Sequence, residues 1–222
     1  SISLIKGYRN TAFKNFDAIQ VINKFQYNEA KFIEKKFQKK IRIFKSKYRF
    51  LENLPMINLS NNLNQKYDFM IAPTWGTNFF SNCSLKIIDK LVSEKWKISY
   101  RPHFMSIKNN EIDINYLKKL NINIDTNPII DFNNSDYLLS DYSGIIFEYY
   151  LIKKKSPILI NNIKKKELNY DAYLDKTIEE SFREIVLTKF VLEDFLNENT
   201  FEILKKTNKT NILEEFITKN FY

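Results

Sequence analysis

The stretch Ser135-Asp136-Tyr137-Leu138-Leu139-Ser140-Asp141-Tyr142-Ser143-Gly144, continued by Ile145-Ile146-Phe147-Glu148-Tyr149, runs apolar, breaks on a Ser-Asp pair, passes a serine and a glycine, and turns apolar again. A buried strand over 136–140, a tight turn and a helix over 144–152 satisfy that order. Outward from it the same alternation repeats. Strands are expected at 67–73, 97–101, 122–125 and 157–160, and helices at 85–96 and 113–120, with a short one near 128–133. Alternating β and α segments with nearly continuous apolar strands predict a parallel sheet covered by helices on both faces.

Glycine is scarce, with 3 in 222 residues, so each one carries information. Gly76 and Gly144 both follow strand-like runs, while Pro73 and Pro102 close such runs and Pro157 opens one. Upstream, a strand is expected at 18–23, a helix at 28–37 and a strand at 40–46, followed by a connector over 50–65 whose polar end, Ser60-Asn61-Asn62-Leu63-Asn64-Gln65, marks a domain boundary. The expected domains are 1–60 and 61–222, the second including the terminal helices. From Ile178 onward the chain reads as helices, with Phe182, Ile185, Val186, Phe190, Leu192 and Phe195 turned to the core.

Composition excludes several classes. With 44% hydrophobic residues the chain holds enough apolar material for a folded core, yet no run is long enough to span a bilayer and the first residues lack the layout of a secretory signal. One cysteine and one histidine leave no internal disulfide and no zinc set, and a reducing compartment fits best. The net charge of +9 is local: residues 1–50 hold 13 basic and 3 acidic side chains, the remainder 22 and 23. That patch reads equally as a solvated helix face and as a surface for an anionic partner, be it membrane, polyanion or nucleic acid. The aromatic residues show no spacing suited to stacking nucleic-acid bases.

In open α/β sheets ligands bind beyond the carboxyl ends of the strands. Three motifs occupy that edge: Ala72-Pro73-Thr74-Trp75-Gly76, Tyr100-Arg101-Pro102-His103 and Ser140-Asp141-Tyr142-Ser143-Gly144. Arg101 offers a fork for phosphate, and His103 either holds a phosphate oxygen or moves a proton. Ser143 and Gly144 read equally as an ordinary N-cap, with Asp141 tying the turn, and as a pyrophosphate cradle. Glu148 stands one turn further on, as a surface carboxylate or a partner for substrate hydroxyls. Thr74 and Trp75 present a hydroxyl and a ring.

Taken in order, these motifs resemble the C-terminal, donor-binding half of the CDP-glycerol glycerophosphotransferase family, GT-B enzymes that build teichoic acids and related capsules. The likeness runs over 67–160 through Ile71-Ala72-Pro73-Thr74-Trp75, Arg101-Pro102-His103, 135–144, Glu148 and Lys155-Ser156-Pro157-Ile158-Leu159-Ile160, and reaches back to Lys45-Ser46-Lys47-Tyr48-Arg49. The resemblance implies a GT-B-type Rossmann-like domain, preceded by the end of a second such half. It also implies transfer of glycerol phosphate from CDP-glycerol to a hydroxyl of a growing anionic polymer, with release of CMP and no cofactor or metal.

By the same carry-over Arg101 and His103 are catalytic. Arg49, Pro73, Thr74, Arg101, Pro102, His103, Ser143, Gly144 and Glu148 bind substrate. A cytoplasmic protein, peripheral on the inner face of the membrane, is expected, with no nucleic-acid partner. Two alternatives stand beside it: a GT-B glycosyltransferase with another nucleotide-sugar donor, and a truncated non-catalytic nucleotide-binding homologue. The chain departs from the family pattern in carrying Gly144 where a second serine is frequent, Glu148 where aspartate is usual, and no His-Gly loop to supply a general base.

Overall fold

The computed structural model describes residues 11–48, 67–76, 79–141, 143–160 and 178–222, in two compact units. Arg49, the 50–65 connector and the expected boundary near residue 60 lie outside the described residues. The first unit contains 11–48, 178–185 and 211–222, and the second contains 67–76, 79–141, 143–160 and 186–210.

In the first unit, strand β1 (Ala18–Val21) runs into helix α1 (Lys24–Lys36) and strand β2 (Arg42–Lys45), which pairs parallel to β1 from Ala18↔Arg42 to Val21↔Lys45. These elements form a parallel βαβ unit with Ile19, Val21, Ala30, Ile33 and Ile41 as its core. The helix begins four residues before the expected start. Asn23 Oδ1 accepts the Gln26 N–H at 2.8 Å and Gln26 Oε1 accepts the Ile22 N–H at 2.8 Å, a reciprocal cap that hydrophobic periodicity alone does not register.

The second unit is built on six parallel strands: β3 (Tyr67–Ile71), β4 (Ile98–Tyr100), β5 (Asn123–Ile124), β6 (Ser135–Ser140), β7 (Ile158–Ile160) and β8 (Lys189–Phe190), in the order β5-β4-β3-β6-β7-β8. Helix α2 (Leu85–Ser93), entered through a π-helical turn at Phe80–Ser84, links β3 to β4. Helices α3 (Phe104–Lys108) and α4 (Ile114–Lys119) link β4 to β5, and α5 (Ile145–Lys153) links β6 to β7. Helix α6 (Ile178–Ile185) belongs to the first unit, α7 (Leu192–Asn197) and α8 (Thr200–Thr207) to the second, and α9 (Asn211–Asn220) to the first.

Alternation decides the two faces of the sheet. Phe69, Ile71, Ile98, Tyr100, Leu139, Ile158 and Ile160 share one core with Ile87, Ile88 and Leu91 of α2 and with Leu192, Phe195, Ile203 and Leu204. Helix α5 buries Ile146, Phe147, Tyr149, Tyr150 and Leu151, residues from all round its axis.

Two features correct the sequence reading of this unit. The region after 178 is not purely helical, since Lys189–Phe190 adds a two-residue strand to β7 through the pairs Leu159↔Lys189 and Ile160↔Phe190. A strand of that length presents no alternation to read. The short helix expected at 128–133 is only a 3₁₀ turn at Phe132–Asn134.

The strand order places the site. From β3 the chain proceeds outward to β4 and β5, then returns to the other side of β3 and proceeds outward again through β6, β7 and β8. The loops leaving β3 and β6 therefore diverge, which opens a crevice at the carboxyl edge where doubly wound sheets take their ligands.

Candidate functional site

The three motifs meet at this crevice. With strands about 4.8 Å apart, the ends of β4 and β6 lie roughly 10 Å from one another across β3. The β3 loop is tied on both sides. Ser140 Oγ donates to the Ala72 carbonyl at 2.6 Å and the Thr74 N–H donates to Asp141 Oδ1 at 2.8 Å, joining it to the end of β6. On the β4 side the Trp75 ring stacks on His103, with centroids 6.1 Å apart and planes at 28°. The Gly76 N–H donates to Glu111 Oε2 at 3.3 Å. Gly76 turns the loop with φ +69°, a conformation that side chains with a Cβ rarely adopt. Pro73 is buried, Thr74 is partly buried and Trp75 is 47% exposed.

His103 is the N-cap of α3. Its Nδ1 accepts the Met105 N–H at 3.1 Å, so the neutral ring carries its proton on Nε2. Half-burial holds the imidazole below the ordinary histidine value, opposed by the charge of Glu111. Protonating Nδ1 would set an N–H against the N–H it now accepts, so the cap favours the neutral form as well. This side chain is built to be a neutral donor through Nε2. An imidazole cap also explains why α3 escapes a sequence reading tuned to Ser, Thr, Asp and Asn at helix starts. Pro102, buried, precedes it.

Arg101 continues the β4 ladder, its N–H donating to the Ile71 carbonyl at 2.8 Å. Its guanidinium reaches toward the β5 side: Nη1 lies 2.6 Å from Asp125 Oδ2 and Nη2 donates to the Asn127 carbonyl at 2.7 Å. Asp125 Oδ1 in turn accepts the Asn127 N–H at 3.0 Å. The arginine side chain is 14% exposed. Beside this network a cavity of about 380 Å³ runs across the sheet face, from Tyr67 and Ser135 at the starts of β3 and β6, past Met70 and Ser99, to Asp125 and Asn127.

On the β6 side Gly144 is the N-cap of α5 and offers the first-turn amides no side-chain oxygen. Ser143 Oγ is 3.5 Å from the Ile145 N–H, the outer limit of a hydrogen bond. Ser143 and Gly144 are partly buried, and Glu148, also partly buried, stands in the first turn of α5.

Of the residues singled out in the sequence, Pro73, Thr74, Arg101, Pro102, His103, Ser143, Gly144 and Glu148 thus belong to the loops and helix start of one sheet edge. The β5 loop, with Asp125 and Asn127, and Glu111 after α3 were not singled out. No motif marks them, because their partners lie 24, 26 and 35 residues away in sequence. Asp141, fully buried, was read only as a turn residue and is also the anchor of Thr74. Among the described residues no group of three or more His, Cys, Asp or Glu side chains is placed to hold a metal, and no helix is long and apolar enough to cross a membrane.

Comparison with known proteins adds two findings. A family model described as CDP-Glycerol:Poly(glycerophosphate) glycerophosphotransferase matches residues 56–188. Three solved structures of the wall teichoic acid polymerase TagF are similar in fold. Two are of one histidine-to-asparagine variant with CDPG; they share 20% identity, with TM-scores of 0.55 and 0.56, and cover 95% of this chain and 53% of their own. The third, a histidine-to-alanine variant, gives 19% identity and a TM-score of 0.53, covering 95% and 55%. The chain thus spans about half the length of the structures it matches. No curated protein matches it.

Proposed function

Because the chain belongs to the CDP-glycerol:poly(glycerophosphate) glycerophosphotransferase family, we propose that this sheet edge binds CDP-glycerol and delivers its glycerol phosphate to a hydroxyl of a growing polymer. What supports the reading is that the loops carrying Arg101 and His103, Thr74 and Trp75, and Ser143 and Gly144 leave the neighbouring strands β4, β3 and β6 at one edge of a doubly wound sheet, tied together by the Trp75–His103 stack and the Thr74–Asp141 bond.

In this reading the acceptor oxygen attacks the phosphorus that bears glycerol, and the bond from that phosphorus to the bridging oxygen breaks. CMP leaves with the bonding electrons. Its growing charge is met by the guanidinium, by Nε2–H and by the amide end of α5, all fixed before the reaction begins. The hydroxyl proton goes to a base other than His103, whose only free lone pair is already engaged with Met105. The cavity beside Asp125 has the volume of a small-molecule pocket and is the place we assign to the nucleoside. Pro73 and Thr74 border the nucleotide, Ser143 and Gly144 the diphosphate, and Glu148 the glycerol or ribose hydroxyls. Arg49 is assigned to substrate by family likeness alone.

The same proposal extends to organisation and location. The expected division at residue 60 is revised by the terminal helices: the unit with 11–48, 178–185 and 211–222 is read as part of the acceptor-side half, and the unit with the six-stranded sheet as the donor-binding domain. The excess of ten positive charges in residues 1–50 supports a peripheral position on an anionic membrane face, or a track for the anionic polymer.

Thermal melting with CMP, CDP-glycerol and a UDP-sugar tests the central claim. CMP and CDP-glycerol raise the melting temperature of the chain, and Arg101→Ala or His103→Ala removes the rise. A response to the UDP-sugar alone would refute the assignment and favour a glycosyltransferase.

A further inference from the structure

We propose that Glu111 is a positioning residue of the donor site, bracing the 74–76 loop so that Trp75 lies over His103 and holds the imidazole where its Nε2 meets substrate; this rests on reading the rim as the donor site.

The β3 loop hangs between two carboxylates. Asp141 takes the Thr74 N–H from the β6 side, and Glu111 takes the Gly76 N–H from the far end of α3. Trp75 lies between those two anchors and covers His103. Glu111 is itself held where it must be: its own N–H donates to the Ser106 carbonyl at 2.9 Å, Ser106 donates to its carboxylate, and Asn109 Nδ2 is 3.2 Å from Oε1. Its carboxylate thus links the loop that carries Trp75 to the helix that His103 caps.

Electrostatics point the same way. Among the described residues, the charged groups at this rim include Arg101 with Asp125 on the β4–β5 side, Asp141 and Glu148 on the β6 side, and Glu111 after α3. Among them the charge that acts on the imidazole is that of Glu111, and the two groups perturb one another: Glu111 raises the histidine and the histidine lowers Glu111. The same side chain therefore sets the ring's cover and its charge state. A residue that merely stabilised the turn would leave the ring's charge state unaltered.

The chain has one histidine, so its imidazole resonances are unambiguous in a proton–carbon NMR spectrum of the full chain. Stacking under Trp75 moves them upfield. Glu111→Ala frees Gly76: the resonances move downfield toward their unfolded positions, and CMP affinity falls about tenfold, as for the loss of one hydrogen bond. Glu111→Gln keeps an acceptor oxygen for Gly76 without the charge. It retains the upfield shift and most of the CMP affinity, yet still titrates lower than the parent. Unchanged resonances and titration in both variants overturn the proposal. So does a Glu111→Gln variant that loses the stacking shift as fully as Glu111→Ala. If the parent binds no CMP, the donor-site reading fails, while the two NMR measurements on the unliganded chain still decide the role of Glu111 in holding the ring.

Discussion

Arg101 serves two masters in the proposed site, and a double-mutant cycle with Asp125 separates them. The guanidinium and the carboxylate meet at 2.6 Å with 14% and 20% of their side chains exposed. A hydrogen bond to a charged group at such a site is worth about 1.5–3 kcal/mol. The second contact, from Nη2 to the exposed Asn127 carbonyl, adds little. Arg101→Ala should therefore cost about 2–3 kcal/mol, which for a chain of this size lowers the melting temperature by roughly 4–12 °C. Asp125→Ala should cost nearly as much, because it strands the guanidinium and also frees the Asn127 N–H. The double variant should cost little more than either single change, giving a coupling energy of about 1–2 kcal/mol. Urea denaturation of the four proteins measures it, and CMP added to each separates structure from binding. Arg101→Ala loses the CMP response entirely, whereas Asp125→Ala keeps part of it, since the guanidinium is still present but less well aimed. Costs that add to within about 0.3 kcal/mol would refute the bridge as a stabilising element. An equal CMP response in both single variants would refute the role of Arg101 in binding.

Asp141→Ala should cost about 2 kcal/mol by chemical denaturation, because it leaves the Thr74 N–H without its buried acceptor, while Asp141→Asn, which keeps an oxygen, should cost less than half as much. Equal losses would mean that the bond is not the stabilising feature. Half-burial holds His103 below the ordinary histidine value of 6.5, so the unfolded chain takes up this proton first. Stability should fall as pH drops below 6.5 toward the folded value and be insensitive to this group above it; His103→Asn, which keeps a capping oxygen, should flatten that slope in denaturation measured across the range. Gly144 sits at ordinary negative φ, and an added Cβ would meet nothing within 4 Å. Gly144→Ala should therefore raise stability by about 0.5 kcal/mol and keep the CMP response, and a loss above about 1 kcal/mol would show that the backbone there needs glycine.

The sheet was legible because its strands are buried and therefore apolar: Phe69 to Ile71, Leu138 to Leu139 and Ile158 to Ile160 stand out against any helix period, and Pro73, Pro102 and Pro157 punctuate them where a missing N–H costs least. The site loops were legible for a related reason, since polar motifs that follow such strands fall on the carboxyl edge of a parallel sheet. Strand β8 and helix α3 were not. The first is two residues long and exists through its pairing with β7, and the second starts on an imidazole cap that only a folded histidine can supply. Neither the Arg101–Asp125 bridge nor the Gly76–Glu111 bond leaves a local trace, because each is made by folding distant loops onto one edge.

The Arg101–Asp125 bridge and the His103 cap on Met105 change how the site works as well as how it is seen. Judged from sequence, the edge offers a free cation and a basic imidazole to a diphosphate. In the folded chain the cation already has a carboxylate partner, and the imidazole is held neutral with its proton on Nε2. What remains to face an anion is largely dipolar: Nε2–H, the remaining N–H groups of a tethered guanidinium, and the amide end of α5 behind Gly144. Preorganised dipoles act on charge that develops during transfer without attracting every passing anion, because they need no rearrangement and add little long-range field. A free arginine would bind phosphate tightly in any state. In the proposed reaction, an arginine already satisfied by Asp125 would add most where a departing oxygen gains charge and competes for its remaining hydrogens, favouring the transition state over the bound donor.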